Sequence, residues 1–222
     1  MSSLAFLRRN PSAGLLFIQL LGVVLYPLME SSPRGRTLFG VFGLLVLGLA
    51  LWVVRRGPWL TWLGVTLALP VVVLSVISAV RPHPGMTIAI AALESVFYFY
   101  AAGSLIAYML QDPHVVADDL FAAGATFTLL AWAFAYTFVV CQGVQPGSFG
   151  TAADGLARTW IELLYLSVAV LSSVGLSDIQ PVMPMARALV MLESFAGIMY
   201  IALVVSRLIG LTTHVRKDRS PS

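Results

Sequence analysis

Charge is what this chain has least of. Only 10% of its 222 residues are charged, against 59% hydrophobic, and the mean hydropathy is +0.92. That leaves too little polar surface to cover a water-soluble globule, so the chain reads as an integral membrane protein. Its formal net charge of +3 is small, and the basic residues sit where topology wants them, which gives no reason to invoke nucleic acid. Cysteine is nearly absent: Cys141 stands alone, so an intrachain disulfide is excluded. His83 and His114 lie singly in loops, without metal-ligand spacing. The sequence offers no nucleophile–base pair, which argues against an enzyme. It also has no internal repeat and no low-complexity segment.

Long apolar runs are what it does have. A helix needs about 20 such residues to cross the hydrocarbon core, and six runs qualify: Ala13–Met29, Leu38–Val54, Trp59–Val80, Met86–Leu110, Leu120–Cys141 and Arg187–Leu211. The first follows Arg8-Arg9, as a secretory leader does, yet no small-residue cleavage site comes after it, so it is read as a span. Short loops make the positive-inside rule usable. With the N-terminus inside, Arg8, Arg9, Arg55, Arg56, Arg207, Arg216, Lys217 and Arg219 are cytoplasmic, against Arg34, Arg36, Arg81, Arg158 and Arg187 outside. This predicts a multi-pass protein of the plasma membrane with both termini cytoplasmic and the Gln142–Pro184 region outside.

Gln111-Asp112-Pro113-His114 breaks the apolar pattern and divides the chain into a four-span region, 1–112, a second domain, 113–214, and a short tail, 215–222. Gly40, Gly43 and Gly48 are expected to let helices approach closely in lipid. Glu94 lies inside a span, where a charge costs about 2.5–3.5 kcal/mol. It is either a neutral acid bonded to a neighbouring helix or a functional group. Asp118 and Asp119 are read as complementing the N-terminus of their own helix, in preference to a cytosolic ion or ligand site.

Between the last two spans lies Trp160–Leu171, too short to cross, followed by Ser172-Ser173-Val174-Gly175-Leu176-Ser177-Asp178. A loop held inside a membrane can line up backbone carbonyls that replace the water of a cation. This one resembles the potassium-channel signature Thr-Val-Gly-Tyr-Gly at Ser173, Val174, Gly175 and Asp178. It departs at Leu176, where Tyr or Phe is usual, and at Ser177, where a second Gly is expected. From about Val115 onward the order of parts is similar to the two-span ion-channel domain of the prokaryotic potassium-channel family. Leu120–Cys141 resembles the outer helix, Gln145–Phe149 the turret, Trp160–Leu171 the pore helix and Arg187–Leu211 the inner helix, with Pro181 and Pro184 following the filter.

The resemblance implies an all-α integral membrane protein with six transmembrane helices plus a re-entrant pore helix and filter loop. One loop supplies one edge of each ligand ring, so a homotetramer is expected, with the bilayer and its own copies as partners. It implies ion-binding roles for Ser173, Val174, Gly175, Leu176 and Ser177, with potassium or another monovalent cation at their carbonyls and no cofactor. Asp178 is either a mouth carboxylate or a buried acid behind the filter, the place the family favours. Glu162 is expected to complement the pore-helix N-terminus and Glu193 to touch the back of that helix. Gly197 matches the inner-helix glycine, serving as a gating hinge or as a packing position. Beyond it Ile198, Ile201, Ala202 and Val205 are expected to line a cavity, and Gly210–Thr213 to narrow it.

Both glycines of the family's filter are left-handed, a conformation that costs another residue about 1–2 kcal/mol. Ser177 is therefore expected to be strained, or the outer filter reshaped, and Leu176 lacks the phenol that holds the family's filter width. Two rivals follow: a non-selective or sodium- or calcium-permeable channel, and a secondary transporter using Glu94 and Glu193. The second is disfavoured by the absence of inverted repeats.

A voltage sensor needs several basic residues in one span, because each charge crossing the field is worth about 2.3 kcal/mol per 100 mV. Met86–Leu110 has none. Open probability in planar bilayers free of blocking ions should therefore stay nearly flat over tens of millivolts, and a steep change would show that the N-terminal region senses voltage.

Overall fold

Proline sets where most of the helices begin. A ring that fixes φ and carries no N–H suits the first helical position, and Pro11, Pro58, Pro84 and Pro184 stand there. The computed structural model describes residues 10–30, 42–43, 45–50, 52, 58–81, 83–111, 117–152 and 155–217. Its labelled helices are α1 (Pro11–Glu30), α2 (Pro58–Val80), α3 (Pro84–Gln111), α4 (Ala117–Val144), α5 (Trp160–Leu171) and α6 (Pro184–Lys217). The second expected span, Leu38–Val54, lies partly outside the described residues; those described within it are helical, and Val46 and Ala50 are buried.

Among the described residues, three helices are long and apolar enough to cross a bilayer, over Gly85–Gln111, Asp118–Val144 and Pro184–Arg207. Shorter apolar stretches occur in α1, α2 and α5. With 12 residues, α5 is about 18 Å long and cannot cross a core about 30 Å thick. The chain must therefore turn where α5 ends.

The centre of the bundle is α4, which packs against α1, α3, α5 and α6, while α2 joins through α3. Its sequence explains this. Ala122, Ala125, Ala131, Ala133 and Ala135 are fully buried, and small side chains let neighbouring backbones come close where lipid offers no hydrophobic drive between helices. A Cβ on Gly124 would stand 2.8 Å from Leu16 Cδ2 of α1. By contrast, a Cβ on Gly43 or Gly48 would meet nothing within 4 Å, so the close approach expected there is made by α4 instead; Gly40 lies outside the described residues.

Polar side chains join the same helices. The Thr128 hydroxyl donates to Gln19 Oε1 at 2.9 Å, tying α4 to α1, and Ser95 and Thr137 share a hydrogen bond of 2.7 Å between α3 and α4. Asp118 and Asp119 do not serve only their own helix. The Ser12 N–H and hydroxyl donate to the two oxygens of Asp118 at 3.1 and 3.0 Å, so the first turn of α4 caps the N-terminus of α1. Asp119 pairs with Arg207 of α6 at 3.4 Å. Adjacent acids thus fasten the first and last described helices to the central one.

The apolar stretch of α6 has the highest hydropathy of the three, 2.2, yet is only 17% buried, against 67% for α4. Met191, Leu192, Phe195 and Ile198 are exposed along it. The helix runs beyond the expected end at Leu211 and takes in residues 215–217 of the expected tail. The proposed constriction at Gly210–Thr213 lies among residues whose side chains are outside the description.

Asp118→Ala removes both acceptors and strands two buried Ser12 donors. It should cost about 1–3 kcal/mol and lower the melting temperature in detergent, with Asp118→Asn losing less; unchanged melting would overturn the cap.

Candidate functional site

The described residues between α4 and α6 are organised around the short helix α5. Its start is fixed by charge and by a capping box. Thr159 accepts from the Glu162 N–H, and Glu162 accepts from the Thr159 N–H at 2.7 Å. Arg158 NH1 pairs with Glu162 at 2.9 Å, and the Arg158 carbonyl takes a hydrogen bond from Gln142 of α4 at 2.8 Å. Glu162 therefore does complement the helix start, through neighbours that the Thr159-x-x-Glu162 spacing could have revealed. The far side of the loop is pinned as well: the Val182 N–H donates to Ser148 O at 2.8 Å, and Phe149 is buried against Phe138 with ring centroids 4.9 Å apart.

Within this frame the chain leaves α5 through a tight closure. The N–H groups of Ser172, Ser173 and Val174 donate to the carbonyls of Val168, Val170 and Ala169 at 3.0, 2.9 and 3.1 Å, and the Gly175 N–H also reaches Ala169 O at 2.9 Å. This pattern needs a left-handed residue just past the helix, and Ser173 supplies it with φ 61°. Gly175 is left-handed too, at φ 69°. Ser177 is not among the positive-φ residues. The strain expected at Ser177 thus falls on Ser173, and the outer part of the loop is reshaped. The Ser177 N–H donates to Gly175 O at 3.1 Å, and its hydroxyl accepts from the Ile179 N–H at 3.1 Å. Replacing Ser177 by glycine would remove that support and relieve no torsion.

The sequence-derived ligand residues are brought together on one surface. Ser173, Val174, Gly175 and Leu176 are exposed in the single chain, with Leu176 at 73%, and Ser177 is half-buried. Asp178 is exposed in the single chain and not buried behind the loop. Exposed Ile198, Ile201 and Val205 lie on α6. Ala202 is exposed as well and lines an open apolar groove of about 560 Å³ with Ile106, Leu130, Met199, Tyr200 and Leu203, between α3, α4 and α6.

Behind α5 lies a second set of contacts. Ser167 hydrogen-bonds Glu193 of α6 and the Ala131 carbonyl of α4, the latter at 2.9 Å. One turn further along both helices Gly197 meets the end of α5: a Cβ there would stand 2.2 Å from Leu171 O. Of the two roles open to Gly197, the geometry provides packing. Neither Ser167 nor its carbonyl partner carries a signal in the sequence.

Glu94 is removed from this set. Tyr136 of α4 hydrogen-bonds it, while Ser95 faces Thr137 and Ala133. Tyr98 stacks on Tyr136 with centroids 5.7 Å apart, and Tyr136 and Trp132 touch Trp160, the first residue of α5, at 5.6 and 5.2 Å. The acid is held in an aromatic box that reaches the start of the short helix.

Residues 124–214 match the family model described as ion channel. No curated protein and no solved structure matches the chain.

Gly197→Ala forces its methyl into the Leu171 backbone. Core overpacking of this kind costs about 1–3 kcal/mol, so the variant should melt earlier in detergent, whereas a position with room to bend would tolerate alanine with unchanged melting.

Proposed function

We propose that the chain is the pore-forming subunit of a homotetrameric cation channel that prefers potassium, a reading supported by the match of residues 124–214 to the family model described as ion channel. The observation that carries this reading is the exposed, non-helical loop at the end of a helix too short to span. Bare backbone at membrane depth is tolerated only where it lines water or is buried in protein. Four copies around an axis would satisfy both conditions, with Ser173–Leu176 facing the ions and the exposed face of α6 covered by neighbouring copies or bordering the central cavity. Residues 113–214 then form the pore domain and residues 1–112 a flanking region in the same plasma membrane, with both termini cytoplasmic.

The ligands in this reading are the carbonyls of Ser173, Val174, Gly175 and Leu176 and the Ser173 hydroxyl, with Asp178 at the mouth. The permeant ion is the cargo. The C-terminal end of α5 points negative dipole at the dehydrated cation, worth about half an elementary charge, although its last-turn carbonyls are already engaged by the loop. Weakened selectivity is a second reading supported by one specific contact. The Gly175 carbonyl accepts the Ser177 N–H, and exposed Leu176 offers no hydroxyl to anchor the outer loop. Fewer free outer ligands favour permeation by sodium as well.

Purified protein in liposomes should pass cations down their gradients, and bi-ionic reversal potentials should rank potassium above sodium and calcium. Gly175→Ala forces a left-handed residue costing about 1–2 kcal/mol per chain and should lower conduction about tenfold. Native mass spectrometry should give a tetramer. A conducting monomer or dimer would overturn the assembly, and normal conduction by Gly175→Ala would remove the loop from the ion path.

A further inference from the structure

Glu193 is fully buried in the middle of a membrane helix, and the pore reading gives it no part among the ion ligands. Its surroundings decide its proton. The Ser167 hydroxyl has one hydrogen, yet it sits within bonding distance of two oxygens, Ala131 O and Glu193 Oε1. A carboxylate would compete with the carbonyl for that hydrogen. A protonated carboxyl resolves the conflict: Glu193 donates to Ser167 Oγ, and Ser167 donates to Ala131 O. The remaining oxygen, Glu193 Oε2, is buried without a partner, which a neutral carbonyl tolerates far better than an ionised one. Among the described residues the only group acting on the carboxyl is Ser167 of α5, with Ala131 O of α4 behind it, and no charged side chain of either helix takes part.

The position of this chain of bonds matters more than its strength. Ser167 immediately precedes Val168, Ala169 and Val170, whose carbonyls hold the N–H groups of Ser172, Ser173, Val174 and Gly175. The loop therefore hangs from the very turn that Glu193 and Ser167 fasten to α4 and α6. Glu193 and Gly197 are one turn apart on α6, as are their contacts, Ser167 and Leu171, on α5. The two helices run in register here, so a shift of α6 is passed directly to the loop.

We propose that Glu193 is a positioning residue for conduction, a proton-bearing latch that acts through Ser167 on the turn carrying the ion-path loop. The proposal rests on the pore reading above. Loss of the proton at alkaline pH deprives Ser167 of its donor, places an ion between packed helices and releases the loop.

The test is potassium flux through the full-length protein in liposomes, from about pH 6 to about pH 10, for the wild type, Glu193→Gln and Ser167→Ala. The wild-type current should fall about tenfold across the alkaline range, the scale expected when a buried hydrogen bond is broken. Glu193→Gln keeps an N–H donor for Ser167 at every pH and should conduct like the neutral-pH wild type with a flat profile. Ser167→Ala should conduct less at neutral pH. Size-exclusion chromatography and melting curves verify that each variant is folded, and the pH profile separates a latch from simple packing. A conducting wild type whose profile matches that of Glu193→Gln overturns the latch and leaves the pore standing. A folded wild type that passes no cation overturns the pore and the latch with it.

Discussion

Hydrocarbon offers no hydrogen bonds, and this single constraint decides how the chain can leave the helical state inside a membrane. Every N–H from Ser172 to Gly175 must find an acceptor supplied by the protein. It does so by returning to the last turn of α5, where Ala169 O serves two donors at once. The remainder of the site maintains that turn: the capping box and Arg158 fix its beginning, Ser148 holds the returning strand, and Glu193 and Gly197 press on its back. The site is a rigid setting for a short stretch of backbone, and little of its chemistry resides in side chains.

The positions of the described helices were readable because hydrophobicity marks them, although among the described residues only three of the six expected spans are long and apolar enough to cross. Trp160–Leu171 has the same bounds in the sequence reading and in the structure, since its length and the polar residues around it leave no other choice. Partners across space were not readable. Asp118 and Asp119 lie at the start of a helix, where local logic assigns them to that helix, yet their bonds go to Ser12 and Arg207. Distance along the chain hides such pairs. The torsion at the loop also escaped, because matching Ser177 to a glycine position assumes an unchanged backbone, whereas the chain moved its left-handed serine to Ser173. Glycine was equally deceptive: a Cβ on Gly43 or Gly48 would meet nothing within 4 Å, while one on Gly197 would strike the Leu171 backbone.

The N-terminal helices are joined by specific contacts to the segment that matches the ion-channel model. α1 and α3 both pack on α4, and the aromatic box around Glu94 extends from α3 to the first residue of α5. Rings in edge and stacked contact contribute about 0.5–1.5 kcal/mol per pair beyond burial. A displacement of α3 would therefore be felt at the start of the short helix, while a displacement of α6 is felt at its end. The two ends of α5 answer to different parts of the molecule.

The cap that Asp118 places on Ser12 also has a history within each molecule's synthesis. The two residues are 106 positions apart, so at about 5–20 residues per second the ribosome needs roughly 5–20 s to deliver the acid after the serine has emerged. Throughout that interval the leading edge of α1 must keep its amides in the hydrated boundary of the bilayer. Only the arrival of α4 lets that edge draw inward. Assembly of the bundle is thereby given an order: the start of α1 is closed only after α4 has been made.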